Sequence, residues 1–216
     1  MYEKNYFSNP HGKSLHYLVY LPKDMKQGEN LPLVVFMHGA GERGDADGSE
    51  LDKVAKHGYF NQITKGKEFP CIMVAPQCTP DNFWPAYIES LNKFLDYVIE
   101  TYPVDVNRIS LTGLSMGGTA TWTWGQANPE RFSAFAPVCG EGITWFGERF
   151  ITKPVHTFHG DCDTLVSPHE SLEMVMSINK RGGNAKITIY PRVGHNAWDF
   201  AYDDELLSWL ISQKLN

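Results

Sequence analysis

A serine lies at the centre of the pentapeptide at residues 113–117, Gly-Leu-Ser-Met-Gly, which fits the pattern G-x-S-x-G. The apolar and β-branched run before it predicts a strand, and the small residues after it predict a helix. At such a turn the serine takes a strained backbone conformation that exposes its hydroxyl, and the glycines are needed because strand and helix approach too closely for a Cβ. A serine that merely forms a turn would not need this setting. We therefore predict that Ser115 is a nucleophile.

A base and an acid for this serine are available later in the chain. A serine hydroxyl attacks poorly until a base takes its proton, and the base needs an acid to orient it. With this kind of serine turn the acid and then the histidine follow in chain order, each after a strand. Asp161 and Asp163 follow one predicted strand, and His195 follows the last one. We predict His195 as the base and Asp163 as the acid, with Asp161 holding its loop through backbone hydrogen bonds.

Attack on an acyl group also requires donors for the oxyanion. One donor is expected to be the backbone N–H of Met116, the residue after the serine, and the other an N–H from the loop after an early strand. That loop is residues 38–44, HGAGERG, and we choose the amide of Ala40. Glu42 and Arg43 are expected to pair or to stabilise this loop, with substrate contact as the alternative.

Alternating strands and helices must position these groups. Strands are predicted at 15–21, 33–37, 71–75, 109–112, 132–138, 155–158 and 185–190, and helices at 51–58, 88–101, 116–127, 168–181 and 203–214. This order predicts an α/β fold with a mostly parallel sheet covered on both faces. The carboxyl ends of parallel strands share one edge, where ligands bind in such sheets.

Length and composition limit the classes of protein to which the chain can belong. The chain has 216 residues and 42% hydrophobic residues, which suits a single domain over residues 1–216. A net charge of −6 without a Lys/Arg cluster argues against a nucleic-acid surface. We predict no membrane span, and the polar start predicts a cytoplasmic protein, or a secreted or periplasmic one if a signal segment was removed. The sequence carries no signal for an oligomeric state.

Metal and disulfide chemistry receive little support. The four cysteines, at positions 71, 78, 139 and 162, lack C-x-x-C spacing and are interpreted as buried free thiols. Pairing of Cys71 with Cys78 in an oxidising compartment is the alternative. His156 and His159 lie in a predicted strand, where alternation or burial explains them. We predict no metal and no organic cofactor.

Five blocks together resemble the α/β-hydrolase superfamily. They are HGAGERG at 38–44, APQC at 75–78, TGLSMGG at 112–118, FHGDCD at 158–163 and GH at 194–195. More narrowly, the chain resembles the esterase and "predicted peptidase" group related to feruloyl and acetylxylan esterases. The resemblance implies an α/β-hydrolase fold, a Ser115–Asp163–His195 triad, an oxyanion hole from Ala40 and Met116, and ester hydrolysis through an acyl-enzyme.

The substrate side of the site is less defined by the sequence. Only residues 139–154 separate two predicted strands where many lipases insert a helical cap, so no large lid is expected. Trp84, Trp145 and Trp198 lie in predicted loops near the catalytic edge, where an indole can stack on a sugar or an aromatic acyl group. Packing is the alternative for each tryptophan. Gln77 is expected either to face the site or to close a turn.

We therefore predict a carboxylic ester hydrolase that acts on short-chain, acetyl or hydroxycinnamoyl esters of carbohydrates. A small serine peptidase with the same triad is one alternative, although amide hydrolysis needs protonation of a poorer leaving group. A non-catalytic binding module of the same fold is the other alternative. Such proteins typically lose a triad residue, whereas all three are present here.

Overall fold

The computed structural model describes residues 1–215, which fold around an eight-stranded sheet. The strands are β1 (Tyr2–Phe7), β2 (Leu15–Tyr20), β3 (Leu31–Met37), β4 (Ile72–Pro76), β5 (Val104–Leu114), β6 (Ala134–Val138), β7 (His156–Gly160) and β8 (Lys186–Tyr190). Their order across the sheet is β1-β2-β4-β3-β5-β6-β7-β8. Strands β3 to β8 run parallel, and β2 is antiparallel to both of its neighbours.

Helices connect the parallel strands. The α-helices are α1 (Gly58–Thr64), α2 (Ile88–Thr101), α3 (Met116–Ala127), α4 (Pro168–Lys180), α5 (Trp198–Ala201) and α6 (Asp204–Ser212). Short 3-10 helices lie at Ala40–Glu42, Leu51–Lys56, Trp84–Tyr87, Pro129–Arg131 and Thr144–Phe150. The fold is that of an α/β-hydrolase, with a mostly parallel sheet and no large lid.

The sheet separates two hydrophobic cores. In β3, Leu33, Val35 and Met37 face one core, and Val34 and Phe36 face the other. Because both faces are covered, the strand is apolar throughout instead of alternating with polar residues. Helices α2, α3 and α4 contribute to the first core, and α1 and α6 contribute to the second.

The sequence prediction differs from the structure mainly at exposed or irregular elements. Strand β1 was not predicted, since it pairs along an edge of the sheet and exposes most of its side chains. The helix predicted at 51–58 is instead a 3-10 helix, Leu51–Lys56. Helix α1 follows it and was not predicted; it begins at Gly58, whose φ is +61°. Strand β5 is longer than predicted.

All four cysteines are free thiols, and three of them, at positions 71, 78 and 139, are buried. Cys162 is exposed, so its interpretation as a buried thiol was wrong. The reason is its place in the loop after β7, outside both cores.

Within residues 1–215 we find no helix with the length and apolar character to cross a bilayer.

The turn from β5 into α3 presses against β3. A Cβ built on Gly117 would lie 1.9 Å from the carbonyl oxygen of Met37, and one on Gly113 would lie 2.4 Å from the carbonyl oxygen of Gly117. Both neighbours are backbone atoms, so they cannot rotate away as a side chain can. Glycine is therefore required at both positions by the closeness of the two segments.

Replacing Gly117 with alanine is expected to lower the free energy of unfolding by about 3 kcal/mol or more, because the added methyl forces helix and strand apart. Gly41→Ala is the matched control, since a Cβ at Gly41 meets no atom within 4 Å. Denaturant unfolding of both variants measures the effect. Equal unfolding midpoints would contradict this account of the turn.

Candidate active site

The predicted site residues converge at one edge of the sheet. Ser115 directly follows β5, Asp163 follows β7, and His195 follows β8. Because these strands are parallel, their carboxyl ends meet at that edge. The chain order Ser, Asp, His thus becomes a spatial cluster, as the sequence predicted.

Ser115 has an unusual backbone conformation, with φ +54° and ψ −120°. A positive φ is rare for a residue with a Cβ and costs free energy, which the surrounding structure must supply. The Ser115 N–H donates to the carbonyl oxygen of Val138 in β6 at 2.9 Å, which holds the strained residue in place. Helix α3 begins at the next residue, so the hydroxyl lies at the turn between strand and helix.

Asp163 has a fully buried side chain. One carboxylate oxygen, Oδ1, accepts hydrogen bonds from the N–H groups of Leu165 and Val166 at 2.9 and 3.0 Å. Burial acts to raise the pKa of Asp163, but hydrogen bonds from His195, Val166 and Leu165 outweigh it and hold the pKa below its ordinary value. Asp163 is therefore an anion at neutral pH.

His195 connects the serine to the carboxylate. Its Nδ1 lies 2.7 Å from Oδ2 of Asp163, and its Nε2 lies 2.8 Å from Oγ of Ser115. The carboxylate can only accept, so Nδ1 carries the proton and Nε2 is left to accept the serine hydroxyl. The edge of the Trp198 ring packs against the imidazole, with ring centroids 5.3 Å apart. Asp161 contributes separately: it accepts from the Arg192 N–H at 2.6 Å and so joins its loop to the loop after β8, instead of holding only its own loop as predicted.

The two predicted oxyanion donors follow neighbouring strands and lie at the same height along the sheet. The register pairs Met37 of β3 with Gly113 of β5, and Ala40 and Met116 each lie three residues beyond their strand's member of this pair. Each of the two residues begins a helix. The first N–H groups of a helix have no partner within it, so both amides are free of intrahelical bonds.

The loop after β3 is built on a buried histidine. His38 Nε2 accepts from the Cys78 N–H at 2.9 Å, and its Nδ1 donates to the carbonyl oxygen of Gly39 at 2.6 Å. Trp84 is fully buried, donates its indole N–H to the carbonyl oxygen of His38 at 3.0 Å and packs edge-on against the imidazole. Burial lowers the pKa of His38 to about 4, so the ring is neutral at neutral pH.

Further contacts tie this loop to the loop after β4. Gln77 is buried, and its amide donates to the carbonyl oxygens of Glu42 and Glu50, each at 3.0 Å. Arg43 donates to the carbonyl oxygens of Ala40 and Pro80, both at 2.9 Å. Glu42 and Arg43 therefore stabilise the loop without pairing to each other. The Glu42 carboxylate is instead 3.6 Å from His57 Nε2.

Two of the predicted substrate contacts were wrong. Trp84 lies in a 3-10 helix with 0% of its surface exposed, and its indole N–H is used by His38. Gln77 closes the neighbouring turns and is 4% exposed, so it faces the protein. Trp145 is 77% exposed, and Trp198 is partly exposed beside His195. For these two tryptophans, contact with the substrate remains a prediction.

Cys139, Asp163 and His195 place three ligand-type atoms within 4.8 Å of one another. The carboxylate and the imidazole are hydrogen-bonded to each other, and the thiol points its Sγ at the carbonyl oxygen of His195 at 3.3 Å. Burial raises the pKa of Cys139, which keeps it a protonated thiol. The cluster is therefore accounted for by its internal hydrogen bonds.

Sequence reasoning did not identify two buried histidines, His38 and His159, as parts of the site. His159, interpreted as a buried strand residue, is indeed fully buried, but its Nε2 lies 3.2 Å from Oδ2 of Asp163. The only signal available in the sequence was its position four residues before Asp163 in the block FHGDCD.

The fold defines an α/β-hydrolase, a class of protein to which several esterases of known structure belong. The chain belongs to the BD-FAE family, whose model matches residues 18–135, more than half of the chain.

Similar proteins agree with this class. A bifunctional acetylxylan esterase/xylanase of Neocallimastix patriciarum is 25% identical over 159 residues, which cover 68% of this chain and 21% of that enzyme. A thermostable esterase superposes with a TM-score of 0.83 at 30% identity, over 99% of this chain and 63% of that one. A ferulic acid esterase gives a TM-score of 0.73 at 17% identity, over 98% and 97% of the two chains. The match to the Neocallimastix patriciarum enzyme thus spans about a fifth of that enzyme's length.

The buried His38 predicts an acid sensitivity of stability. Its folded-state pKa of about 4 lies below the ordinary value of 6.5. Between these pH values the unfolded chain binds a proton that the folded chain does not, so the free energy of unfolding falls as the pH drops from about 6.5 to 4. We expect His38 to contribute on the order of 3 kcal/mol to that fall.

Denaturant unfolding at several pH values, compared between the wild type and His38→Gln, measures this contribution. Glutamine retains an acceptor for the Cys78 N–H but does not titrate, so its curve should be flatter over this range. Other groups, including His156 and His159, also have lowered pKa values, so the free energy of unfolding of the variant should still depend somewhat on pH. Parallel curves for the two proteins would contradict the assignment.

Proposed function

We propose that this protein hydrolyses carboxylic esters through Ser115, His195 and Asp163, with the amides of Ala40 and Met116 as oxyanion donors. The observation that carries the proposal is the pair of hydrogen bonds joining the three side chains, 2.8 Å at the serine and 2.7 Å at the aspartate. The strained backbone of Ser115 supports it further, since strain of this kind clusters at functional sites.

The first half-reaction forms an acyl-enzyme. Oγ of Ser115 attacks the ester carbonyl carbon while Nε2 of His195 takes the hydroxyl proton. Asp163 stabilises the resulting imidazolium through its bond to Nδ1, and the two backbone amides stabilise the negative oxygen of the tetrahedral intermediate. Collapse of this intermediate breaks the bond to the alcohol oxygen, which receives the proton from His195.

The second half-reaction restores the enzyme. Nε2 of His195 takes a proton from a water molecule, and the hydroxide attacks the acyl carbon of the ester to Ser115. A second tetrahedral intermediate forms at the same amides. Its collapse releases the carboxylic acid and returns the proton to Ser115.

For the substrate we propose acetyl or other short acyl esters, or hydroxycinnamoyl esters, carried on carbohydrate. The acetylxylan esterase relative supports this class. So does the short segment between β6 and β7, which leaves no large lid over the site, and which carries the exposed Trp145. Trp145 helps to line a surface cavity of about 580 Å³ between this segment and the C-terminal half of α4, and none of the proposed catalytic residues lines that cavity.

Ser115→Ala is expected to lower hydrolysis of a short aryl ester by about 10⁵-fold or more, since the nucleophile is lost. Asp163→Asn should lower kcat by about 10⁴-fold, because the amide no longer holds His195 in the right tautomer. Initial rates with active-site titration by a fluorophosphonate measure both. The probe should label the wild type at Ser115 and leave Ser115→Ala unlabelled.

Substantial turnover by folded Ser115→Ala would reject this mechanism. An unlabelled wild type without activity would favour a non-catalytic binding module. Rates on matched ester and amide substrates separate an esterase from a peptidase, and we expect the ester to be strongly preferred.

Trp145→Ala is expected to raise KM about 2- to 13-fold for acetylated or feruloylated xylan fragments, since stacking is worth about 0.5–1.5 kcal/mol. The rate with a small aryl acetate should stay unchanged, because Trp145 lines a cavity that includes none of the proposed catalytic residues. Trp145→Phe is the matched control and should retain most of the affinity. A proportional loss on both substrates in Trp145→Ala would count against a binding role for this indole.

A further inference from the structure

We propose that His159 is a positioning residue for this hydrolysis, acting as a second histidine donor to the carboxylate of Asp163. The inference rests on the proposed function, because it concerns the acid of the proposed triad. It assigns a role to a fully buried polar group that the reaction steps do not use.

Two histidines converge on one carboxylate oxygen. Oδ2 of Asp163 lies 2.7 Å from Nδ1 of His195 and 3.2 Å from Nε2 of His159. The other oxygen, Oδ1, is occupied by the N–H groups of Leu165 and Val166. The buried carboxylate is thus surrounded by donors from its own loop, from β7 and from the loop after β8.

The surroundings of His159 define where its proton sits. Nε2 faces two atoms that only accept, Oδ2 of Asp163 and the carbonyl oxygen of Val166 at 3.0 Å. A bare nitrogen lone pair there would be repelled by both, so Nε2 carries the hydrogen. Nδ1 lies 2.8 Å from the hydroxyl of Ser171, which can donate to it.

Helix α4 and strand β7 hold this arrangement together. Ser171 is fully buried in α4, and Thr157 in β7 lies 3.3 Å from its hydroxyl while donating to the carbonyl oxygen of Pro137 at 2.9 Å. Rotation of the His159 ring would break contacts at both nitrogens. The imidazole is therefore fixed, with its Nε2–H donating to the Val166 carbonyl oxygen and lying 3.2 Å from Oδ2 of Asp163.

Charge in this cluster favours a neutral ring. Burial lowers the pKa of His159, although Asp163 acts in the opposite direction. The titratable groups that act on it are Asp163 in the next loop and His195 after β8, while α4 contributes the uncharged Ser171. A neutral N–H donor withdraws charge from Oδ2 without cancelling it, so Asp163 can still stabilise the His195 imidazolium.

This role predicts a change in the pH profile. Without the His159 N–H, more negative charge stays on Oδ2, and the Asp163–His195 pair takes up its proton at higher pH. The acid limb of kcat/KM should therefore shift upwards in His159→Leu, with a fall of about 10- to 100-fold at neutral pH, the range for one lost hydrogen bond to a charged group. His159→Gln retains an N–H donor at this reach and should restore most of the rate.

The experiment measures pH–rate profiles for a short aryl ester, normalised to active sites titrated with a fluorophosphonate. A residue that only supports the fold lowers the active fraction and leaves the normalised profile unchanged, so superimposable profiles would overturn the inference. If His159→Leu does not fold, His159→Phe decides, because it keeps an aromatic ring and removes both ring nitrogens. An upward shift there supports the inference, and an unchanged limb overturns it.

A second readout is independent of turnover. The proton shared by His195 and Asp163 gives a downfield proton NMR signal, which should move in His159→Leu and return in His159→Gln. A wild type that does not hydrolyse esters would refute the proposed function, while the NMR comparison would still test His159. An unmoved signal with a normal ester rate would refute only the role of His159.

Discussion

The close approach of helix α3 to the end of β3 is the constraint on which the site depends. Backbone meets backbone there, because Gly117 leaves no room for a Cβ beside the Met37 carbonyl. This contact forces the sharp turn that gives Ser115 its positive φ. Since Met37 directly precedes His38 and the loop after β3, one contact fixes both Ser115, the proposed nucleophile, and the segment that carries Ala40. Their relative geometry then needs no ligand to form it.

Buried polar groups make that geometry rigid. A buried donor without a partner costs about 1–3 kcal/mol, so a loop held by satisfied buried groups cannot shift without losing them. His38 uses both ring nitrogens, and Trp84 and Gln77 add donors from the next loop along the sheet. Preorganised amides are worth more than mobile ones for a developing oxyanion, because they do not reorganise during the reaction.

The sequence predicts those features that depend on local pattern. Strand β3 was recognisable because burial on both faces makes it continuously apolar, whereas β1 was not, because it exposes most of its residues along an edge. The triad candidates followed from motif and chain order. The roles of Trp84 and Gln77 depend on which neighbour the fold brings to them. A tryptophan four residues before a helix can face solvent or core, and only the packing of the β3 and β4 loops decides.

The carboxylate of Asp163 is held both by donors from its own loop and by a donor from a distant part of the chain. The bonds to Leu165 and Val166 arise within one turn, and they orient the carboxylate plane through neighbouring residues alone. The bond from His195 requires β7 and β8 to pair, since its ring comes from the loop after β8, whereas His159 lies in β7 itself, four residues before Asp163. With Oδ1 held locally, Oδ2 is the oxygen that faces the two imidazoles. The imidazole of His195 is therefore aimed at Ser115 by the sheet register, and a change in that register would separate the proposed base from the proposed nucleophile without altering either side chain.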